Sequence, residues 1–347
     1  MRKFRKNIVI FAVILILAAV PAFSVDLSGI QNTANKFIDA MAVSLPFNST
    51  MGLNWSDAHI GQFLALPPHF GIGITTGFTT MEFGSLNKLL SMFNAPLPAG
   101  FNWGGFPLPG YTIDARIGGI FIPFDIGLKF GILNIKEEFW DKLQIGGVGL
   151  SDIDFTMNYL IIGGDFRYAI VGKKKSPFKV SVGVGFNYLK GGMSLPIPGT
   201  NNLSMNFGSS HELTFPAPSL NLLWETKSLD FKAQASFKVL VFTPYIGLGA
   251  AHAWSNAGYG LTANGTIQVD GYDIDLDDSS IMGELNKLGL TGITAKGIEY
   301  YNEVTGWSFR AFGGFSVNIP FVRFDLTGMY DFIGKNYGVT FGTRFQL

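Results

Sequence analysis

The sequence predicts an all-β protein, a closed antiparallel transmembrane β-barrel of about 12–14 strands, with an N-terminal helix and a helical surface loop. Three observations carry this. Segments of about ten residues alternate apolar and polar side chains with period two, the mark of a strand with one greasy face. Charged residues make up 14% and apolar residues 47% of the chain, whereas a soluble domain carries about 25% charged residues. After the first 25 residues no apolar run approaches the length of a spanning helix, which needs about 20 residues. Backbone groups in hydrocarbon must all be paired, so a chain that spans without helices must close its strands into a barrel.

The elements follow in chain order. Arg2, Lys3, Arg5 and Lys6 precede an apolar run over residues 8–20 and the small-x-small stretch Ala22-Phe23-Ser24. This reads as a signal peptide over residues 1–24, cleaved before Val25. The chain has no cysteine, which excludes a lipidated cysteine, disulfides and thiolate metal sites. Residues 25–42 place Leu27, Ile30, Ala34, Phe37, Ile38 and Met41 at helical spacing, with Asp26 or Ser28 as the N-cap. That amphipathic helix is expected to plug or cap the periplasmic mouth.

Residues 43–347 are the barrel. Clean alternation runs through 111–117, 124–132, 178–188, 231–241, 307–319, 322–332 and 337–347. Further strands are expected at 69–83, 157–172, 211–225 and 243–256, and also at 43–56. Two more enter the wall if 260–276 and 291–303 do. Turns are expected around Pro123, at 173–177, at 226–228, near Thr243-Pro244 and at Pro320. Two long loops, 84–110 and 257–305, stand outside the wall.

Alternation alone does not say which face is inside. The leader, the apolar C-terminus and the low charge put the apolar face toward lipid and the polar one toward the lumen. The lumen would then be lined by Asp114, Arg116, Asp125, Lys129, Asp165, Arg167, Arg310, Arg323, Asp325, Asp331 and Arg344. These charges either filter solutes or pair with one another to fill a narrow barrel. A wide aqueous pore needs about 16 strands, more than this chain supplies.

The loop 84–110 carries Leu86, Leu89, Leu90, Phe93, Phe101, Trp103 and Phe106. So many apolar groups on a surface loop need a cover or a ligand. Asp273, Asp275, Asp277 and Glu284 fall at positions one, three, five and twelve of an EF-hand-like calcium loop, but Asp278 stands where the turn wants Gly. A solvated acidic loop is the plainer reading, and no metal or other cofactor is expected. His211 beside Ser210 and Glu212, and His252 near Ser255, are the only hints of hydrolase chemistry. The formal net charge of +0 argues against nucleic acid as a partner.

The last strand, with Thr340, Gly342, Phe345 and the terminal Leu347, resembles the C-terminal signal by which outer-membrane barrels are recognised for insertion. That resemblance implies the outer membrane of a diderm bacterium, with outer-membrane lipid and the barrel assembly machinery as partners. A helical N-terminal segment with an apolar helical surface loop resembles the long-chain fatty acid transporter type of barrel, although that family's N-terminal Asn-Pro-Ala signature is absent. The likeness implies a non-enzymatic barrel for passive uptake or binding of a small hydrophobic molecule. A structural or adhesive barrel with a closed lumen is the alternative, and an outer-membrane hydrolase the third. Residues 34–81 also resemble the start of a poorly characterised family of secreted bacterial barrel proteins.

Overall fold

Every wall strand is bonded to its neighbours in sequence. In a computed structural model, ten strands form an up-and-down meander: β1 (Phe70–Met81), β2 (Phe106–Gly118), β3 (Phe124–Ile135), β4 (Thr156–Val171), β5 (Phe178–Pro196), β6 (Pro218–Phe237), β7 (Phe242–Ala263), β8 (Gly297–Ile319), β9 (Val322–Asp331) and β10 (Tyr337–Gln346). β10 returns to pair with β1 from Gly71↔Gln346 to Thr79↔Gly338, so no edge is left open. The structure describes residues 27–64, 68–82, 84–91, 105–136, 144–145, 148–149, 156–172, 176–196, 202–207, 211–216, 218–263, 268–269, 272–273, 293–294 and 297–347. The expected signal peptide lies outside them.

The barrel therefore closes with fewer strands than the 12–14 expected. Residues 43–56 are not a strand. They belong to helix α1 (Leu27–Asn48) and to a chain segment threaded through the lumen. The turn expected at 226–228 is the middle of β6, where Thr226 and Ser228 simply take inward positions with 0% exposure. Residues 260–263 and 297–303 lengthen β7 and β8 instead of adding strands.

Four connections at one end are short: 119–123, 172–177, 238–241 and 320–321. The start of β1 and the chain end lie at this end too, joined by Leu347 N–H donating to the Phe70 carbonyl (3.0 Å). Short turns mark the periplasmic end of such barrels, and long loops the outer one. β4 to β8 run 16 to 23 residues and β1, β2, β3, β9 and β10 only 10 to 13, so one side of the wall stands taller at the outer end.

Side-chain direction follows the pleat. Ile72, Ile126, Leu128, Phe130, Phe231, Leu248, Phe309 and Phe341 are exposed on the outside, while Arg116, Arg167, Arg310 and Arg344 are at most 2% exposed inside. A soluble sandwich would show the reverse. An apolar outer belt round a closed barrel is the surface that lipid solvates.

Candidate functional site: a two-storey lumen

Residues 27–62 run through the lumen from end to end, in two storeys of different chemistry. The outer storey is apolar. α1 buries Phe37, Ile38, Met41 and Leu45 against Met81, Leu108, Ile135, Met157, Tyr159, Ile161, Leu189, Met193, Leu222 and Trp224 of the wall. Its polar ties to the wall are few: Asn302 donates to Asp39 at 2.6 Å, and Asn336 to the Ser44 hydroxyl at 2.9 Å. A void of about 20 Å³ remains between Met51, Leu108, Tyr159, Leu189 and Trp224. The helix thus sits toward the long loops, and not at the periplasmic mouth where the sequence had suggested it. The lower lumen is already taken by the chain that follows it.

The lower storey is ionic. After Asn48, residues 49–62 descend as irregular chain, with left-handed backbone at Gly52, Leu53 and Gly61, and are gripped by wall side chains along their length. Lys129 donates to the carbonyls of Ser49 (2.8 Å) and Met51 (2.5 Å). Leu53 N–H donates to Asp114 (3.0 Å), and Ile60 N–H to Asp125 (3.1 Å). Gln234 donates to Trp55 (2.7 Å) and Ser56 (3.1 Å), and Arg167 to the Asp57 carbonyl (2.8 Å). The Trp55 ring lies between the guanidinium groups of Arg116 (5.6 Å) and Arg344 (4.7 Å), a cation–π clamp.

The wall charges also pair among themselves. Asp125 binds both Arg116 (2.5 Å) and Arg167 (2.8 Å), and Asp165 binds Arg116 (2.8 Å) and Lys232. Asp230 holds Arg310 through two bonds of 2.7 and 2.9 Å. Asp57, carried in by the threaded segment, pairs with Arg323 and with Arg344 (2.9 Å), which also reaches Asp325 (2.7 Å). Inward glycines make room for these groups: a Cβ at Gly127 would lie 2.7 Å from Arg116, and one at Gly249 2.6 Å from Arg310. Charges buried this way persist only when paired and hydrogen-bonded.

The eleven lumen-lining residues named from sequence all point inward. Ten join this network, Asp114 through Thr75 (2.7 Å), Thr112 (2.8 Å) and Leu53. Asp331 instead caps the outer hairpin, accepting from Ser308 (2.9 Å) and Gly334 (2.8 Å), and Arg323 sits nearest the periplasmic end beside Asp57. Sequence reasoning missed Asp230, Lys232 and Gln234, although they occupy the alternate positions of the run it found in β6. It also missed Asp57, which sits in a stretch without periodicity.

Of the apolar loop set, Leu86 on helix α2 (Gly84–Ser91) and Phe106 at the start of β2 are buried in the outer-storey core. They are not displayed to solvent. Leu89 and Leu90 lie on α2 with side chains outside the described set, and Phe93, Phe101 and Trp103 lie outside the described residues. Asp273 closes a short strand, Tyr272–Asp273, whereas Asp275, Asp277 and Glu284 lie outside them. Among the described residues no cluster of three or more acidic or histidine side chains could hold a metal. His252 faces outward, its ring 4.8 Å from those of Trp254 and Trp307, whereas Ser255 faces inward and bonds Thr226 (2.8 Å). The two sit on opposite faces of β7 and form no dyad. His211 opens a short strand outside the wall, His211–Pro216.

The profile of one family, described as Lsa36-like, matches residues 73–347. The chain belongs to the Lsa36-like family. No curated protein matches it. Among solved structures, a major outer membrane protein from Thermus thermophilus is 11% identical with a TM-score of 0.33, covering 80% of this chain and 99% of that one. A FadL homologue from Pseudomonas aeruginosa is 13% identical with a TM-score of 0.35, over 76% and 60% of the two chains. The attachment invasion locus protein Ail of Yersinia pestis is 9% identical with a TM-score of 0.26, over 80% and 97%. Likenesses this distant carry no argument about activity. The closed wall and its apolar belt establish this Lsa36-like protein as a β-barrel of the outer membrane of a diderm bacterium.

Proposed function

We propose that the barrel takes up or binds a small apolar molecule from the outer face, with the apolar storey that α1 fills as its chamber. The apolar outer storey carries this reading. Barrel interiors are ordinarily polar, yet here the outer half is lined by aliphatic, aromatic and methionine side chains. Met41, Met51, Met81, Met157 and Met193 contribute to it, and methionine repacks readily around guests of different shape. α1 is the natural lid, because packing and a few polar ties hold it while the segment below is bonded throughout. Moving α1 admits a guest. Onward passage also requires residues 49–62 to leave the ionic storey.

Binding of N-phenyl-1-naphthylamine to the purified full-length protein in detergent tests this. Saturable binding, weakened by Trp224→Arg, is expected, and absence of saturable binding overturns it. A second reading, a structural surface barrel with a permanently closed lumen, is favoured by the ion-pair lattice, and it predicts no binding and no conductance in planar bilayers. On either reading the proposed insertion partner is the barrel assembly machinery, engaging β10.

A further inference from the structure

The periplasmic mouth is only half closed. On one side the threaded chain leaves against the β2–β3 turn, where Gln62 bridges Gly119 and Phe63 N–H donates to the Gly119 carbonyl (2.9 Å). On the other, under β5, β6 and β7, a cavity of about 330 Å³ opens to the periplasm, lined by Asp57, Ser176, Lys179, Ser236, Lys238 and Thr243.

The charges round this cavity do not cancel. Asp57 and Asp325 are matched by Arg323 and Arg344. That leaves two cations, Lys179 and Lys238, in no direct salt bridge among the described residues, although Asp57 attracts Lys179 from across the cavity. Lys179 donates one bond to the His59 carbonyl (2.8 Å) and keeps two further N–H groups. Lys238 is exposed at the rim. The Ser236 hydroxyl accepts from Ala58 N–H (3.0 Å) and that of Thr243 from Asn318 (2.8 Å), so each retains its own O–H as a donor. Two ammonium groups and two hydroxyl donors therefore converge on one recess.

We infer that this recess is a binding site for a small oxyanion, a phosphate or carboxylate group, presented from the periplasm. It is independent of the apolar chamber and survives if that reading fails. An anion there would share Lys179 with the His59 carbonyl, and so touches the chain that closes the lumen.

Titration of the folded full-length protein with inorganic phosphate and, separately, succinate tests the site at low ionic strength. Saturable binding of either anion is expected, weakened tenfold or more by Lys238→Gln and by added salt. Lys227→Gln, on the outer wall, should leave it unchanged. A preference between the two anions assigns the group. Lys238→Gln is the primary variant because Lys179 also holds the threaded chain, and heat-modifiable gel mobility checks that each variant is folded. Absence of saturable binding to the native protein, or equal binding by folded Lys238→Gln, overturns the inference.

Discussion

The two storeys of this lumen do the same job, filling a barrel, by opposite means. The outer storey excludes water with Phe37, Ile38, Met41, Leu45 and Trp224, and its fit is non-directional. The lower storey pairs charge with charge, and each guanidinium has an assigned carboxylate or carbonyl. Apolar packing can be exchanged for another apolar body at little cost, because dispersion and burial are not specific to a partner. An ion-pair lattice cannot, because removing one member strands the rest. On the proposed reading the outer half admits a guest while the lower half stays shut.

The largest effect expected from breaking this contrast lies in the lattice. Asp125→Ala strips Arg167 of its carboxylate, leaves Arg116 with Asp165 alone, and should destabilise the barrel by about 3–5 kcal/mol, read from urea unfolding in detergent or lipid. Leu128→Arg, at mid-height on the outer face, should cost about 2–4 kcal/mol in bilayers, and a neutral result would place that face away from lipid. Leu45→Ala should cost about 2–3 kcal/mol, a loss that a bound apolar molecule restores in part, whereas no apolar ligand should rescue Asp125→Ala. Amide exchange sharpens the contrast without mutation. The amides of Leu53 and Ile60, bonded to buried carboxylates, should outlast those of α1 once its lid motion begins. The smallest effect belongs to Lys190→Ala, whose partner Glu225 stands 3.9 Å away on the exposed outer wall; its unfolding midpoint should not move.

The lower storey was legible in the sequence and the outer storey was not, for a physical reason. Where the lumen is polar, period-two alternation separates the faces, and Arg116, Asp125, Arg167 and Arg344 declare their direction. Where the lumen is apolar, both faces of a strand are greasy. Leu222 and Trp224 inside and Leu223 outside then leave no contrast to read. The strand number suffered from the same blindness. β6 passes from one regime to the other near Thr226, and the short polar stretch there imitates a turn. The threaded segment has no period at all, because it is irregular chain held at separate points by different strands, and only the fold shows that Asp57 belongs among the arginines. Leu86 and Phe106 marked the loop as apolar correctly, but sequence could not show that α1 covers them.

In the proposed mechanism the outer storey opens by displacement of α1 while the lower storey stays closed. The chain lacks cysteine, so a single disulfide can hold that helix to the wall. Asp39→Cys with Asn302→Cys replaces two side chains already bonded across the gap at 2.6 Å. Oxidising this pair should abolish N-phenyl-1-naphthylamine binding, and reduction should restore it. Equal binding in the oxidised and reduced protein would contradict it.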